Sequence, residues 1–321
     1  MQTAFDGKIP ADTTLVVFGS IAREEATSKS DLDWILLVDG QATPEHSTLR
    51  HTIAEVMQEL KHLEPWKAGP FGRMVGSHDI VHEIGGEDDT NANTTRRVLL
   101  LLESLPVGKR EAYDRVRRQI LKRYMTDDRG LINASGHYRI PRFLLNDFTR
   151  YWRTVTVDFV YKQRTEPGKK WALRNAKLRM SRKLIFASGL LRCFNCQIDP
   201  KAATAREALG TPYFDTTKLL TYIEDELHQT PLDILAQGAL RQAIDPDTGL
   251  KLFNSYDRFL NILDDPGKRV ELEDLKEPQI GTSVVWKEIS DLSRTFQAGL
   301  IELFFGNDKE LCDITTQYGV F

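Results

Sequence analysis

Cysteine is scarce. The 321 residues contain three, Cys193, Cys196 and Cys312, and so small and odd a number excludes a disulfide scaffold and points to a reducing compartment. Strong net charge is also missing: 43 Lys+Arg against 46 Asp+Glu leave −3, which excludes a basic nucleic-acid coat while leaving room for local basic stripes. No apolar run is long enough to cross a bilayer. The longest, VLLLLESL from Val98, is interrupted by Glu103 and preceded by Arg96 and Arg97, so it reads as a buried helix. Near the N-terminus, Asp6 and Asp12 stand where a secretory leader needs uninterrupted apolar residues. The expectation is a cytoplasmic protein without a membrane partner.

With 13 Pro, 21 Gly and 41% hydrophobic residues, the composition is that of a folded chain, and its length suits two domains. The first part alternates strand and helix signals. TTLVVFGS supplies a strand from about Thr14 ending at a Gly-Ser turn, IAREEATSKS starts like a short helix, and DLDWILLVDG is a second strand. Leu49, Ile53, Val56, Met57 and Leu60 repeat at helical spacing. MVGSHDIVHEIGG reads as a turn plus a strand, and GGEDDTNANTT as a loop with several candidate N-caps before a helix. Beyond residue 130 the pattern turns helical, over 141–164, 171–194, 202–209, 216–227, 231–243, 252–263 and 286–305. The fold class is therefore α/β, a mixed sheet over residues 1–130, followed by a helical domain over 131–321.

The chemistry concentrates in VVFGSIAREEATSKSDLDW. Alternate residues of a strand share a face, roughly 6 to 7 Å apart, so Asp31 and Asp33 can jointly bracket hard cations. Paired cations on rigid carboxylates activate a hydroxyl and neutralise nucleotide phosphates in phosphoryl transfer. Gly19 permits close backbone approach, and Ser20 can donate to a phosphate oxygen.

This stretch resembles the polymerase-β-type nucleotidyltransferase superfamily, through Gly19, Ser20, Asp31 and Asp33. Ala22-Arg23 stand where many members have Ala-Arg-Gly, and Glu24 replaces the usual glycine. The resemblance implies the mixed-sheet nucleotidyltransferase fold, Mg2+ or Mn2+ as metal, a nucleoside or deoxynucleoside triphosphate as substrate, and a third carboxylate. Asp79 and Glu83 are the candidates for that acid, and Asp79 is preferred. A second resemblance, to nucleotidyltransferases related to enzymes that uridylylate a nitrogen-signalling protein, rests on Gly85-Gly86, Asp88-Asp89-Thr90-Asn91 and Thr95-Arg96-Arg97. In that segment Asn91 or Asn93 can meet a sugar or base edge and Arg97 a phosphate, although an Asx-rich turn capping a helix needs the same residues.

In the helical half, Asn146, Arg150 and Arg153 share a helix face, and Lys177 and Ser181 lie on another basic face beside Arg182. Arg150 belongs to a patch that can bind phosphate, and the resemblance, which places a helical domain across a cleft from the catalytic one, implies nucleotide contacts for which Lys177 and Ser181 are the choices; Asp147 and Asp158 offer local ion pairs as the competing explanation. Trp152 and Trp171 read as packing groups, and Cys193-x-x-Cys196 as thiols without a second ligand pair. The expected activity is metal-dependent transfer of a nucleotidyl group to a hydroxyl of a nucleotide or nucleic acid with release of pyrophosphate, in bacterial antiviral defence signalling. The alternatives are transfer to a protein side chain, with a toxin or effector as partner, and a nucleotide-binding partner protein without turnover.

Overall fold

The computed structural model describes residues 9–27, 30–59, 69–132, 137–202, 217–241 and 244–319. Four strands, β1 (Thr13–Phe18), β2 (Asp33–Val38), β3 (Arg73–Gly76) and β4 (Ser104–Val107), form one mixed sheet in the order β3-β2-β1-β4. β1 runs antiparallel to β2 and β4, and β2 parallel to β3. Phe18 is opposite Asp33 on one side and Ser104 on the other. The Gly19 turn therefore emerges beside the first residue of β2.

Strand parity sorts the sheet's two faces. Leu15, Val17, Trp34 and Leu36 pack with Leu49, Ile53 and Met57 of helix α1 (Pro44–Glu59). Val16, Phe18, Ile35 and Leu37 point the other way, into a second core that continues through the helices as far as Ile314. Asp33 has the parity of Ile35 and Leu37, so its side chain starts on the face covered by the helical half.

Three differences from the sequence-based expectation follow from local hydrogen bonding. The HDIV segment is a short helix, α2 (Ser77–Val81), rather than a strand. The end of the LLLLESL run turns at Glu103 into edge strand β4, after helix α3 (Asn91–Leu102). The described residues of IAREEATSKS make only one turn. There Arg23 N–H donates to Gly19, Glu24 N–H to Ile21, and Glu25 N–H to Ser20. The last two bonds are those of a Schellman stop, with Glu24 at the left-handed position, φ +61°.

Helix α4 (Glu111–Asp127) leads into the helical half: α5 (Arg142–Thr165), α6 (Trp171–Lys177), a π-helical turn (Leu178–Arg182), α7 (Lys183–Ile198), α8 (Thr217–Glu226), α9 (Pro231–Arg241), α10 (Pro246–Asp264), α11 (Pro266–Asp274), α12 (Val284–Phe305) and α13 (Lys309–Ile314). The helix expected over 202–209 falls almost wholly outside the described residues. Trp152 stacks on Phe186 at 5.3 Å, and Trp171 meets Trp286 at 5.0 Å, so both tryptophans pack. Cys193 and Cys196 are free thiols buried in α7.

Where α7 passes α5 and α3, Gly189 has no room for a side chain: an added Cβ would lie 2.9 Å from the Phe148 ring and 3.2 Å from Leu102. Overpacking such a contact costs about 1–3 kcal/mol. Gly189→Val is expected to lower stability by that amount in urea unfolding. Because the contact joins both halves of the chain, far-ultraviolet dichroism and tryptophan fluorescence should shift together, and a shift in only one signal would show that the halves unfold separately.

Candidate functional site

The turn after β1 and the start of β2 form the floor of a small cavity of about 120 Å3, and α6 with the π-helical turn closes it. Gly19, Ser20, Asp31, Asp33, Lys177 and Ser181 all line it. Gly19 sits at φ +79° with open space where a Cβ would be, so the backbone can approach a ligand there. Ser20 Oγ donates to Ser30 Oγ at 3.0 Å, and Ser30 Oγ accepts from Thr27 N–H at 2.9 Å, which closes the loop that carries Asp31.

Lys177 Nζ lies 3.8 Å from Asp31 Oδ2. Burial holds the Lys177 ammonium below its ordinary range, against the pull of Asp31. Burial also pushes the Asp33 carboxyl up to about 6, with Arg182 acting in the opposite direction. A group in that state gains from a cation.

Residues that sequence reasoning did not select hold the site together. The buried Arg23 donates to Glu25 at 2.8 Å and also to Glu103, and Arg182 Nη1 lies 3.6 Å from the other Glu103 oxygen. Burial opposes the charge on Arg23, but Glu103 and Glu25 outweigh it and raise its affinity for the proton. Tyr256 of α10 donates to Glu25 at 3.0 Å. Arg269 of α11 adds another cation to the wall. The Ala22-Arg23 match marked Arg23, whereas nothing in local spacing could reveal Glu103, Tyr256 or Arg269, which arrive from distant elements.

A larger cavity, about 420 Å3, adjoins the first and shares Asp33, Lys177 and Arg182 with it. It lies under the first turn of α3, with Asn91 and Thr95 on its wall, and extends along α5 to Phe159 and Lys162. Asn93 does not line it: its Oδ1 accepts from Arg96 at 3.0 Å.

Three expected site residues lie elsewhere. Asp79 is exposed on α2 and lines neither cavity, because a helical turn replaces the strand that would have carried it toward Asp33. Glu83 instead faces His78 at 3.2 Å. Among the described residues no group of three or more His, Cys, Asp or Glu is arranged to hold a metal.

Arg97 is fully buried rather than turned to a phosphate. Its guanidinium donates to both Asp89 oxygens at 3.0 and 3.1 Å, to Asp147 at 2.5 Å and to Tyr124 at 2.7 Å. Arg150 donates to Asp89 as well, at 2.7 Å. Both arginines hold the EDDTN loop and line neither cavity.

These contacts separate structural from ligand-facing charge. Removing one partner of a buried ion cluster costs about 3–5 kcal/mol, so Arg97→Met is expected to destabilise the fold by that much in chemical denaturation. An unchanged stability would show that Arg97 is not the support of this loop. At Glu24, Gly should be tolerated within about 1 kcal/mol, whereas Val, β-branched at a positive φ, should cost about 1–3 kcal/mol; equal melting of the two variants would contradict the left-handed turn.

A family model described as "Putative nucleotidyltransferase DUF294" matches residues 1–69, the segment that contains Gly19, Ser20, Asp31 and Asp33. No curated protein matches the chain. At this coarse level the match supports nucleotidyl transfer, for which the substrate class is a nucleoside triphosphate.

Proposed function

We propose that this protein is a metal-dependent nucleotidyltransferase that moves a nucleoside monophosphate from a nucleoside triphosphate onto a hydroxyl of a nucleotide or nucleic acid. The observation that carries this reading is one small cavity joining an open glycine turn, two carboxylates at and just before the start of β2, and Lys177, Arg182 and Arg269. Phosphate needs the cations and the backbone approach; the reaction also needs the acids.

The residues fit a magnesium or manganese ion. Magnesium is commonly held by one or two carboxylates with substrate phosphates completing its shell, and the donor set offers two, Asp31 and Asp33. When bound, the ion would neutralise phosphate charge and make a hydroxyl easier to deprotonate. Gly19 and Ser20 orient the β- and γ-phosphates. Lys177 and Arg182 balance charge beside Asp33, and Ser181 stands on the wall of the phosphate subsite.

A second reading is a nucleotide-binding partner that does not turn over, favoured by the position of Asp79 outside the cavity. The separating experiment incubates the purified protein with each labelled nucleotide and Mg2+ or Mn2+, resolving the products by electrophoresis and mass spectrometry. Asp31→Ala and Asp33→Ala are expected to lower pyrophosphate release by about a hundredfold or more, since lost metal ligation costs several kcal/mol, with melting temperature nearly unchanged. Equal turnover by the variants would refute the assignment; tight nucleotide binding without any product would select the second reading.

A further inference from the structure

The two cavities flank β2 on opposite sides. Gly19 and Ser20 follow β1, on one side of β2, and line the small cavity. Phe71 leads into β3, on the other side, and lines the large one; the next residue, Gly72, donates its N–H to Trp34 of β2 at 2.7 Å. Asp33 borders both cavities.

In phosphoryl transfer the attacking and leaving oxygens lie roughly in line through the phosphorus. With the leaving pyrophosphate over Gly19 and Ser20 and the α-phosphorus at Asp33, the attacking oxygen must come from the β3 side. That side opens into the larger cavity.

Resting on the nucleotidyl-transfer reading above, we propose that the larger cavity is the acceptor subsite and that the acceptor is a small hydroxyl compound carrying a phosphate monoester. The volume, about 420 Å3, is that of a small-molecule site. Phe71 and Phe159 provide apolar walls, and Thr95 a hydroxyl. Arg174 adds a cation beyond the shared Lys177 and Arg182, while Lys162 on the same wall is ion-paired to Asp158 at 2.7 Å.

Arg174 supplies the specific recognition. Its Nη2 donates to Glu166 at 2.5 Å, while its buried Nη1 has no hydrogen-bond partner among the described residues. A buried donor without an acceptor is costly, and a planar guanidinium with an unused N–H matches a phosphate oxygen.

In the reaction the acceptor oxygen bonds to the α-phosphorus. The bond from that phosphorus to the bridging oxygen breaks, and its electron pair leaves with pyrophosphate. The hydroxyl proton passes to solvent. The product is a phosphodiester joining the nucleoside monophosphate to the phosphorylated acceptor.

The test uses the full chain saturated with a non-hydrolysable ATP analogue, so that the small cavity is filled, and titrates ribose 5-phosphate with ribose as the control. Ribose 5-phosphate should bind measurably and ribose should not. Arg174→Met should weaken ribose 5-phosphate binding about tenfold or more, the scale of a charged hydrogen bond. Thr154→Phe, which fills the same cavity from α5, should do likewise, and both variants should keep affinity for the ATP analogue within about twofold by the same scale.

Equal binding of ribose and ribose 5-phosphate, or an unchanged sugar-phosphate affinity in both variants, would overturn the proposal. Loss of ATP-analogue affinity in the variants would overturn it too, by assigning the cavity to the nucleotide. Phosphate-dependent binding that persists while no nucleotide releases pyrophosphate would uphold the subsite and reject the transfer reading instead.

Discussion

The site depends on one buried carboxylate. Glu103, with its side chain 1% exposed, lies between two guanidinium groups, Arg23 from the turn after β1 and Arg182 from the π-helical turn. A buried charge is tolerated only when paired, so these three side chains fix the positions of their elements relative to one another. The register reinforces this, because Ser104, next to Glu103, is opposite Phe18, which is also opposite Asp33. One carboxylate thus sets the distance between the Gly19 turn, the start of β2 and the cations above them. Tyr151 adds a further tie, its hydroxyl accepting from Arg182 at 3.1 Å.

A second charged cluster has a different purpose. Asp89 receives Arg97 and Arg150, and Asp147 shares Arg97 with Tyr124. The favourable contacts outweigh burial and keep the Asp89 carboxyl below its usual range. This cluster anchors the loop that precedes α3, and Thr90 caps that helix by accepting from Asn93 N–H. The larger cavity therefore has a firm roof, although none of the cluster's arginines reaches into it.

The contrast between the two clusters explains what was legible in the sequence. β1, β2, α1 and the long helices α5, α10 and α12 carry strong periodicity, and the structure has them close to where that periodicity puts them. Asp31 and Asp33 line one cavity, as their spacing suggested, although only Asp33 is in a strand and Asp31 lies in the loop before it. Arg97 and Arg150 could not be distinguished from Lys177 by the same means, since a basic residue on a helix face looks alike whether it meets an aspartate 50 residues away or lines a cavity. Asp79 lies away from the cavity for a related reason: HDIV suits a strand in isolation, and only the chain's turn after Gly76 makes it helical. Tyr256 and Arg269 carry no local signal at all.

The turn at Gly19 shows how far sequence departures can be absorbed. Glu24 occupies a left-handed position that favours glycine, yet the two Schellman hydrogen bonds remain. The strain is local, of order 1 kcal/mol, and is opposed on either side: Arg23 is held by Glu103, and Glu25 by Arg23 and Tyr256. Alternate positions of the turn are thereby clamped to the core while Glu24 itself faces solvent. A glycine is dispensable there because the neighbours, rather than the residue's own conformational preference, determine the backbone. The other end of the turn has no such substitute: at φ +79° a side chain on Gly19 would be strained even though open space surrounds the position of its missing Cβ, so there the residue's own freedom sets the backbone.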